Sequence, residues 1–157
     1  MNDIIHIEIL DKSGHDDLKF SVRDLTADLT FDTYYFGLAI EPLEDISDLK
    51  NCLANFLNKW VIQINAMQNG QTVYLPIDIS DQYTGCLKVV KHGDDVEIAY
   101  GTSYKEGWSV DIDNPTSYFN SITDFHSDIP KTLSVKKEDF IKSIQNQIKT
   151  LSNNEDP

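Results

Sequence analysis

The chain has 157 residues, of which 40% are hydrophobic and 10% aromatic, so it is long enough for a sizeable core and too apolar to be an acidic disordered tail. Its 26 Asp and Glu against 13 Lys and Arg give a formal charge of −13, which argues against binding to nucleic acid or to membrane phosphates. We expect a single α+β domain over residues 1–151 and a disordered tail over residues 152–157.

The negative charge is concentrated in two segments. Residues 1–48 carry a net charge of −9 and residues 72–115 a net charge of −5. Residues 49–71 carry +2, and residues 134–157 are balanced. We therefore expect the carboxylates to form one or two surfaces that attract a basic partner.

Cys52 and Cys86 lie far apart and match no metal-binding spacing. The first residues lack the pattern of a signal peptide, and no apolar run has the length of a membrane span. These features predict a cytoplasmic protein with free thiols, no metal ion and no cofactor.

Alternating apolar residues predict strands over residues 4–10 and 18–23, joined by a turn as an antiparallel hairpin. A third, longer strand is predicted over Leu29–Ile40. The apolar parity changes near Gly37, which predicts a bulge or bend there.

The spacing of apolar residues then changes to three and four, which predicts an amphipathic helix from Ile46 to Met67. Asp45 or Ser47 is expected to cap its start, and Gly70 to follow its end.

Four further strands are predicted in succession over residues 72–79, 86–91, 95–100 and 108–113. Pro76 has no N–H group for a strand ladder, so the first of these strands is expected either to lie at an edge of the sheet or to leave the sheet there.

The C-terminal part is predicted to be mostly loop over residues 113–133, with room for a short helical turn near residues 117–122. A last helix is expected after Ser134, which would cap it. The full order, β-β-β-α-β-β-β-β-α, indicates an α+β fold: a mainly antiparallel sheet of six to seven strands with two helices packed on it.

No group of residues indicates catalysis clearly. The four histidines, His6, His15, His92 and His126, are expected to be solvated surface residues, since none lies beside a nucleophile motif. Asp78 and Asp81 could serve as the acid and base of a small hydrolase, or of a ligand-binding domain, in a sheet cleft. No His, Lys or metal-ligand partner is nearby in the sequence, which favours the alternative of a solvent-facing carboxylate followed by an Asx turn.

The segment Tyr74–Leu87 (YLPIDISDQYTGCL) is followed by a hairpin and then by Glu106-Gly107-Trp108, and it is preceded by the helix that bears Trp60. Over residues 46–115 this arrangement resembles the bacterial immunity proteins that protect a cell from its own polymorphic or contact-dependent growth inhibition toxin. The resemblance implies a non-enzymatic inhibitor with a cognate protein toxin as partner. Many such toxins are nucleases, whose clefts are basic.

In that interpretation, the acidic strands and turns of the second half bind a basic surface of the toxin. The predicted partner-binding residues are Asp78, Asp81, Tyr83, Asp94, Asp95, Glu97, Tyr104, Glu106, Trp108, Asp111 and Asp113. Tyr34, Tyr35, Tyr118 and Phe119 are further candidate anchors, and every aromatic candidate could instead pack in the core. A structural adaptor without a toxin is the remaining alternative.

Overall fold

The computed structural model describes residues 3–40 and 42–153. Within them the strands are β1 (Ile5–Ile9), β2 (Leu18–Val22), β3 (Leu29–Phe31), β4 (Thr72–Ile79), β5 (Thr84–His92), β6 (Asp95–Ser103), β7 (His126–Ser127) and β8 (Leu133–Lys136). The helices are α1 (Tyr34–Leu38), α2 (Ile46–Asn65), α3 (Thr116–Phe119) and α4 (Lys137–Ser152), and Gly107–Ser109 forms a 3₁₀ turn. The predicted α+β class with antiparallel sheet is confirmed.

The strands form two sheets, where the sequence predicted one. The first sheet has the order β1-β2-β3, and the second has the order β4-β5-β6-β7 with β8 also paired to β6. All of these pairs are antiparallel. One apolar cluster joins the inner faces of both sheets to α2 and α4, and Phe20, Trp60, Leu87 and Phe140 are fully buried in it.

Helix α2 forms as its apolar spacing predicts. Asp45 caps it by accepting a hydrogen bond from the Ser47 N–H group at 2.8 Å, and Asp48 accepts one from the Asp45 N–H group at 3.1 Å. The helix ends at Asn65, two residues before the predicted end. Gly70, with a φ of +84°, lies in the turn that leads to β4. Among the described residues no helix has the length and apolarity that a membrane crossing requires.

The β5–β6 hairpin is also confirmed, with strands longer than predicted. Thr84 pairs with Ser103 at one end, and His92 pairs with Asp95 at the other. Strand β4 lies at an edge, the first of the two outcomes that Pro76 predicted, and the register shifts between Pro76 and Asp78.

The predicted strand over Leu29–Ile40 is wrong beyond Phe31. The chain turns there into α1, where the Gly37 N–H group donates to the Thr33 carbonyl at 2.9 Å. Phe36 is buried by this helical turn. The change of apolar parity near Gly37 therefore lies within a helix and is not a bulge or bend in a strand.

The predicted strand over residues 108–113 is also wrong. Its start lies in the 3₁₀ turn, and the Asp111 carboxylate accepts hydrogen bonds from the N–H groups of Asp113 and Asn114. Such side-chain contacts offer the backbone an alternative to a strand ladder. Val110 and Ile112 are buried, but Trp108 is exposed.

The C-terminal part adds two short strands that the sequence did not predict, β7 and β8. Ser134 lies in β8 and does not cap α4. The first residue of that helix, Lys137, instead donates its N–H group to the Asp94 carbonyl at 2.8 Å.

The short helix α3 lies where a helical turn was expected. The helix α4 runs through Ser152, and residues 154–157 of the predicted tail lie outside the described residues.

Two buried polar side chains of α4 accept hydrogen bonds from backbone N–H groups on the outer edge of β1. The Ile5 N–H group donates to Ser143 Oγ at 2.9 Å, and the Ile7 N–H group donates to Gln147 Oε1 at 3.0 Å. Ser143 and Gln147 are four residues apart, so they lie on one face of the helix. They close an edge that would otherwise leave donors unpaired.

We expect Gln147→Ala to lower the free energy of unfolding by about 1–3 kcal/mol, because the buried Ile7 N–H group loses its acceptor. Gln145 is exposed on the same helix, so Gln145→Ala should change stability by less than about 0.5 kcal/mol. Urea denaturation of both variants measures the difference. Equal effects would show that the edge contact contributes nothing.

An acidic and aromatic cleft as the candidate functional site

A cleft of about 590 Å³ opens where the first sheet's connections meet the β4–β5 turn of the second sheet. One wall comes from the β1–β2 turn and from the β3–α1 segment: His15, Asp32, Tyr34, Tyr35 and Leu38. The other wall is formed by Ile79, Ser80, Asp81 and Trp108. We call this feature the acidic cleft.

The buried carboxylate of Asp17 fixes the first wall. Asp17 Oδ1 accepts a hydrogen bond from the Thr33 N–H group at 2.9 Å. Its Oδ2 accepts one from the Thr33 hydroxyl at 2.6 Å and one from the Gly14 N–H group at 2.9 Å. These bonds hold the β1–β2 turn against the start of α1, and Thr33 stands between Asp32 and Tyr34 of the cleft.

A close backbone approach fixes the second wall. The Gly107 N–H group donates to the Ser80 carbonyl at 2.7 Å. A Cβ atom on residue 107 would lie 2.4 Å from that carbonyl oxygen, so only glycine allows this approach. Trp108 is thereby placed beside Ser80 and Asp81.

A hydrogen bond joins the two walls: the Tyr35 hydroxyl donates to Asp81 Oδ1. This bond favours the protonated hydroxyl and raises the pKa of Tyr35 to about 12, with smaller contributions from burial and from the nearby negative charge of Glu106. Glu106 is exposed, and its charge acts on the Tyr35 hydroxyl group of the cleft.

Exposed aromatic side chains stand in the same place. The side chain of Trp108 is 70% exposed and that of Tyr34 is 47% exposed. The Tyr34 ring meets the Tyr35 ring edge to face at 5.4 Å and stacks with the His15 ring at 6.2 Å. Large, solvent-exposed aromatic side chains are among those that most often anchor a protein partner.

The charge of the acidic cleft is negative. Asp32 and Asp81 line it, and the described lining residues include no Lys or Arg. His15 Nδ1 lies 3.6 Å from Asp32 Oδ2. Within the described residues, no three His, Cys, Asp or Glu side chains are grouped as a metal ion would require.

Asp78 does not face the solvent as its strand parity indicated, because it is half-buried beside the turn that carries Tyr83. A Cβ atom on Gly85 would lie 2.8 Å from Asp78 Cβ and 2.7 Å from the Tyr100 hydroxyl, so the carboxyl group is enclosed from that side too. Burial raises the pKa of Asp78 to about 6, while a hydrogen bond from Tyr83 opposes the shift. Asp78 is not among the described residues that line the cleft.

The structure brings together five of the predicted partner-binding residues. Asp81 and Trp108 line the acidic cleft, and Glu106, Asp78 and Tyr83 adjoin it. All five come from the end of the second sheet where β4 and β6 finish and β5 begins.

Three other predicted residues, Asp94, Asp95 and Glu97, lie at the far end of the β5–β6 hairpin. Eight residue steps along β5 separate the two ends by about 27 Å. Asp95 is paired there with Lys136, whose Nζ atom lies 2.9 Å from Asp95 Oδ1. These carboxylates therefore do not share a surface with Asp81.

The remaining predicted residues are also dispersed. The Tyr104 N–H group donates to Asp124, and the Tyr104 ring lies 6.5 Å from that of His126. The Asp111 carboxylate accepts hydrogen bonds from the backbone of its own turn. Asp113 lines a groove with Cys52 of α2. Tyr118 and Phe119 are each 1% exposed, so as anchors they are wrong. They pack in the core.

Sequence reasoning missed Asp32, Leu38 and His15 as members of the cleft. Asp32 and Leu38 lie in the segment that was predicted as a continuous strand. His15 is exposed, as expected, but its ring stands against Tyr34. The available signal was the change of apolar parity near Gly37, which lies between the cleft residues Tyr35 and Leu38.

The comparisons with known proteins give one solved structure: a chain of the CdiA-CT/CdiI toxin and immunity complex from Enterobacter cloacae. Its TM-score to this chain is 0.47 and its sequence identity is 13%, with 87% of this chain and 86% of that chain covered. That complex is of the class that residues 46–115 resemble. No protein-family model matches the chain, and no curated protein matches it either.

The pKa of Asp78 predicts a pH-dependent stability. Because the folded-state pKa is raised above the usual 3.8, the protonated carboxyl group stabilises the fold at low pH, and this contribution is lost as the pH rises through about 6. We expect Asp78→Asn to raise the free energy of unfolding by about 1–3 kcal/mol at neutral pH, because Asn carries no buried charge.

Near pH 4 the same variant should have almost the stability of the unmodified protein. Chemical denaturation across this pH range measures both values, with Asp24→Asn as an exposed control of equal charge change. A constant difference between Asp78→Asn and the unmodified protein at all pH values would contradict the assignment.

Proposed function

We propose that the protein is a non-enzymatic, cytoplasmic immunity protein that binds and neutralises a cognate bacterial toxin, and that the toxin is a nuclease with a basic surface. The observation that carries this proposal is the acidic cleft, where exposed Trp108 and Tyr34 stand among Asp32, Asp81 and Glu106. The resemblance over residues 46–115 supports the same class of function.

The charge supports a basic partner. At −13, the whole chain repels other acidic molecules and draws a basic surface toward it over distances of about a Debye length, roughly 8 Å at physiological salt. A nuclease needs a basic site to bind the phosphates of its substrate. Carboxylates of an inhibitor can occupy that site, and they contain no phosphodiester bond that the nuclease could cleave. Blocking the substrate in this way needs no catalytic residue in the inhibitor.

The aromatic side chains supply what charge alone does not. Steering by charge raises the association rate, whereas slow dissociation depends on anchors that lose their water on binding. Trp108 is an anchor of this kind, because Gly107 fixes its backbone to Ser80 while the indole stays in solvent.

A small hydrolase or ligand-binding domain is the second candidate, and one observation favours it: the pKa of Asp78 lies near 6, close to that of a general acid. However, Asp78 is enclosed by Tyr83 and Gly85, whereas Asp81 is bonded to Tyr35 across the cleft. An enzyme would lose most of its turnover on Asp78→Asn. An immunity protein should keep nearly all of its affinity for the toxin.

The central test is calorimetry with the toxin domain encoded beside this gene. We expect binding whose dissociation constant rises about tenfold when the salt concentration increases from roughly 50 to 500 mM, because the charges are screened. Stopped-flow measurements should show that the double variant Asp81→Asn, Glu106→Gln associates about three- to tenfold more slowly at low salt.

The matched control is Asp24→Asn, Asp28→Asn, which removes the same two charges at the opposite end of the first sheet. Both carboxylates are exposed in the β2–β3 loop, away from the cleft. Absence of any toxin binding would overturn the proposal. Equal slowing by the two double variants would show that net charge, and not the acidic cleft, guides the encounter.

A further inference from the structure

The acidic cleft differs in charge from two other cavities of the protein. The cavity at the start of α4 contains Lys91, Lys136 and Lys137 beside Asp94 and Glu138, so its carboxylates already have cationic neighbours. The cavity beside β1 is likewise lined by Lys136 and Lys142 together with Asp3 and Asp139.

The groove beside Cys52 contains Asp48 and Asp113 but no exposed aromatic ring. Among these four, the acidic cleft alone combines exposed rings with carboxylates that have no lysine or arginine in the same lining. A cationic group from outside the chain therefore finds both charge and an aromatic face there, and nowhere else among them.

The shape of the cleft favours a flat cation. Tyr34 and His15 stack with an interplanar angle of 11°, and Trp108 presents its indole to solvent on the opposite wall. A guanidinium group is planar, stacks on aromatic faces and is more weakly hydrated than an ammonium group. It can also donate two parallel hydrogen bonds to a carboxylate, which an ammonium group cannot.

We propose that the acidic cleft binds an arginine side chain of the partner, with the guanidinium group between the aromatic walls and its N–H groups donating to Asp81 and Asp32. This inference rests on the proposed function, because the arginine belongs to the toxin. It adds that recognition at this site depends on the shape of the cation as well as on its charge.

The site can be tested without the toxin. The chain has two tryptophans, and Trp60 is fully buried, so acrylamide quenching of the folded protein reports on Trp108. The probes are the tripeptides acetyl-Gly-Arg-Gly-amide and its lysine and citrulline counterparts, titrated at constant ionic strength. Citrulline keeps the shape of arginine and lacks the charge.

We expect the arginine peptide to protect Trp108 from quenching with a dissociation constant on the order of 10 mM. The lysine peptide should bind at least about threefold more weakly, and the citrulline peptide should not protect. The variant Asp81→Asn should weaken arginine binding by at least about threefold, whereas Asp24→Asn should leave it unchanged. Equal protection by arginine and lysine, or no protection up to about 50 mM arginine peptide, would overturn the inference.

The two proposals fail in different ways when the toxin is used. If the unmodified protein binds no toxin, the proposed function is wrong. If it binds the toxin and Trp108→Leu leaves the affinity unchanged, the arginine site is wrong while the function stands. We expect Trp108→Leu to weaken toxin binding by about tenfold or more, as loss of a central aromatic anchor does.

Discussion

The first sheet can be covered by α4 only if the outward N–H groups of β1 find acceptors, because an unpaired buried donor costs about 1–3 kcal/mol. Ser143 and Gln147 supply those acceptors. The same helix begins directly after β8, which is paired with β6 of the second sheet. One helix therefore ties the two sheets together, and the acidic cleft, whose walls come from different sheets, depends on that connection.

The sequence predicted those elements whose hydrogen bonds are local or repetitive. The stripe of α2, a cap at Asp45 or Ser47 and the β5–β6 hairpin follow from spacing and turn chemistry alone. The predictions failed where a distant group decided the local conformation. Thr33 leaves the strand because Asp17, sixteen residues earlier, holds its N–H group, and no periodicity encodes that contact.

The candidate site was likewise predictable only in part. Asp81, Glu106 and Trp108 were named from the sequence because they lie in acidic turns with aromatic neighbours. Asp32 could not be named, since it reaches the cleft through the fold of a segment that was assigned to the wrong element. Asp95 was named although a lysine 41 positions later, Lys136, neutralises it. Charge read along the chain cannot show such pairing.

Strand β4 lies at an edge of its sheet, and edges of this kind can pair with a second copy of a chain. Mutual repulsion keeps copies with a charge of −13 apart, but a bound basic partner would cancel much of that repulsion. Pro76 and the register shift beside it would then still disfavour pairing of β4 with a second copy, because they interrupt the hydrogen-bond ladder that such pairing needs. The same proline would then limit self-assembly in a case where electrostatic repulsion no longer does.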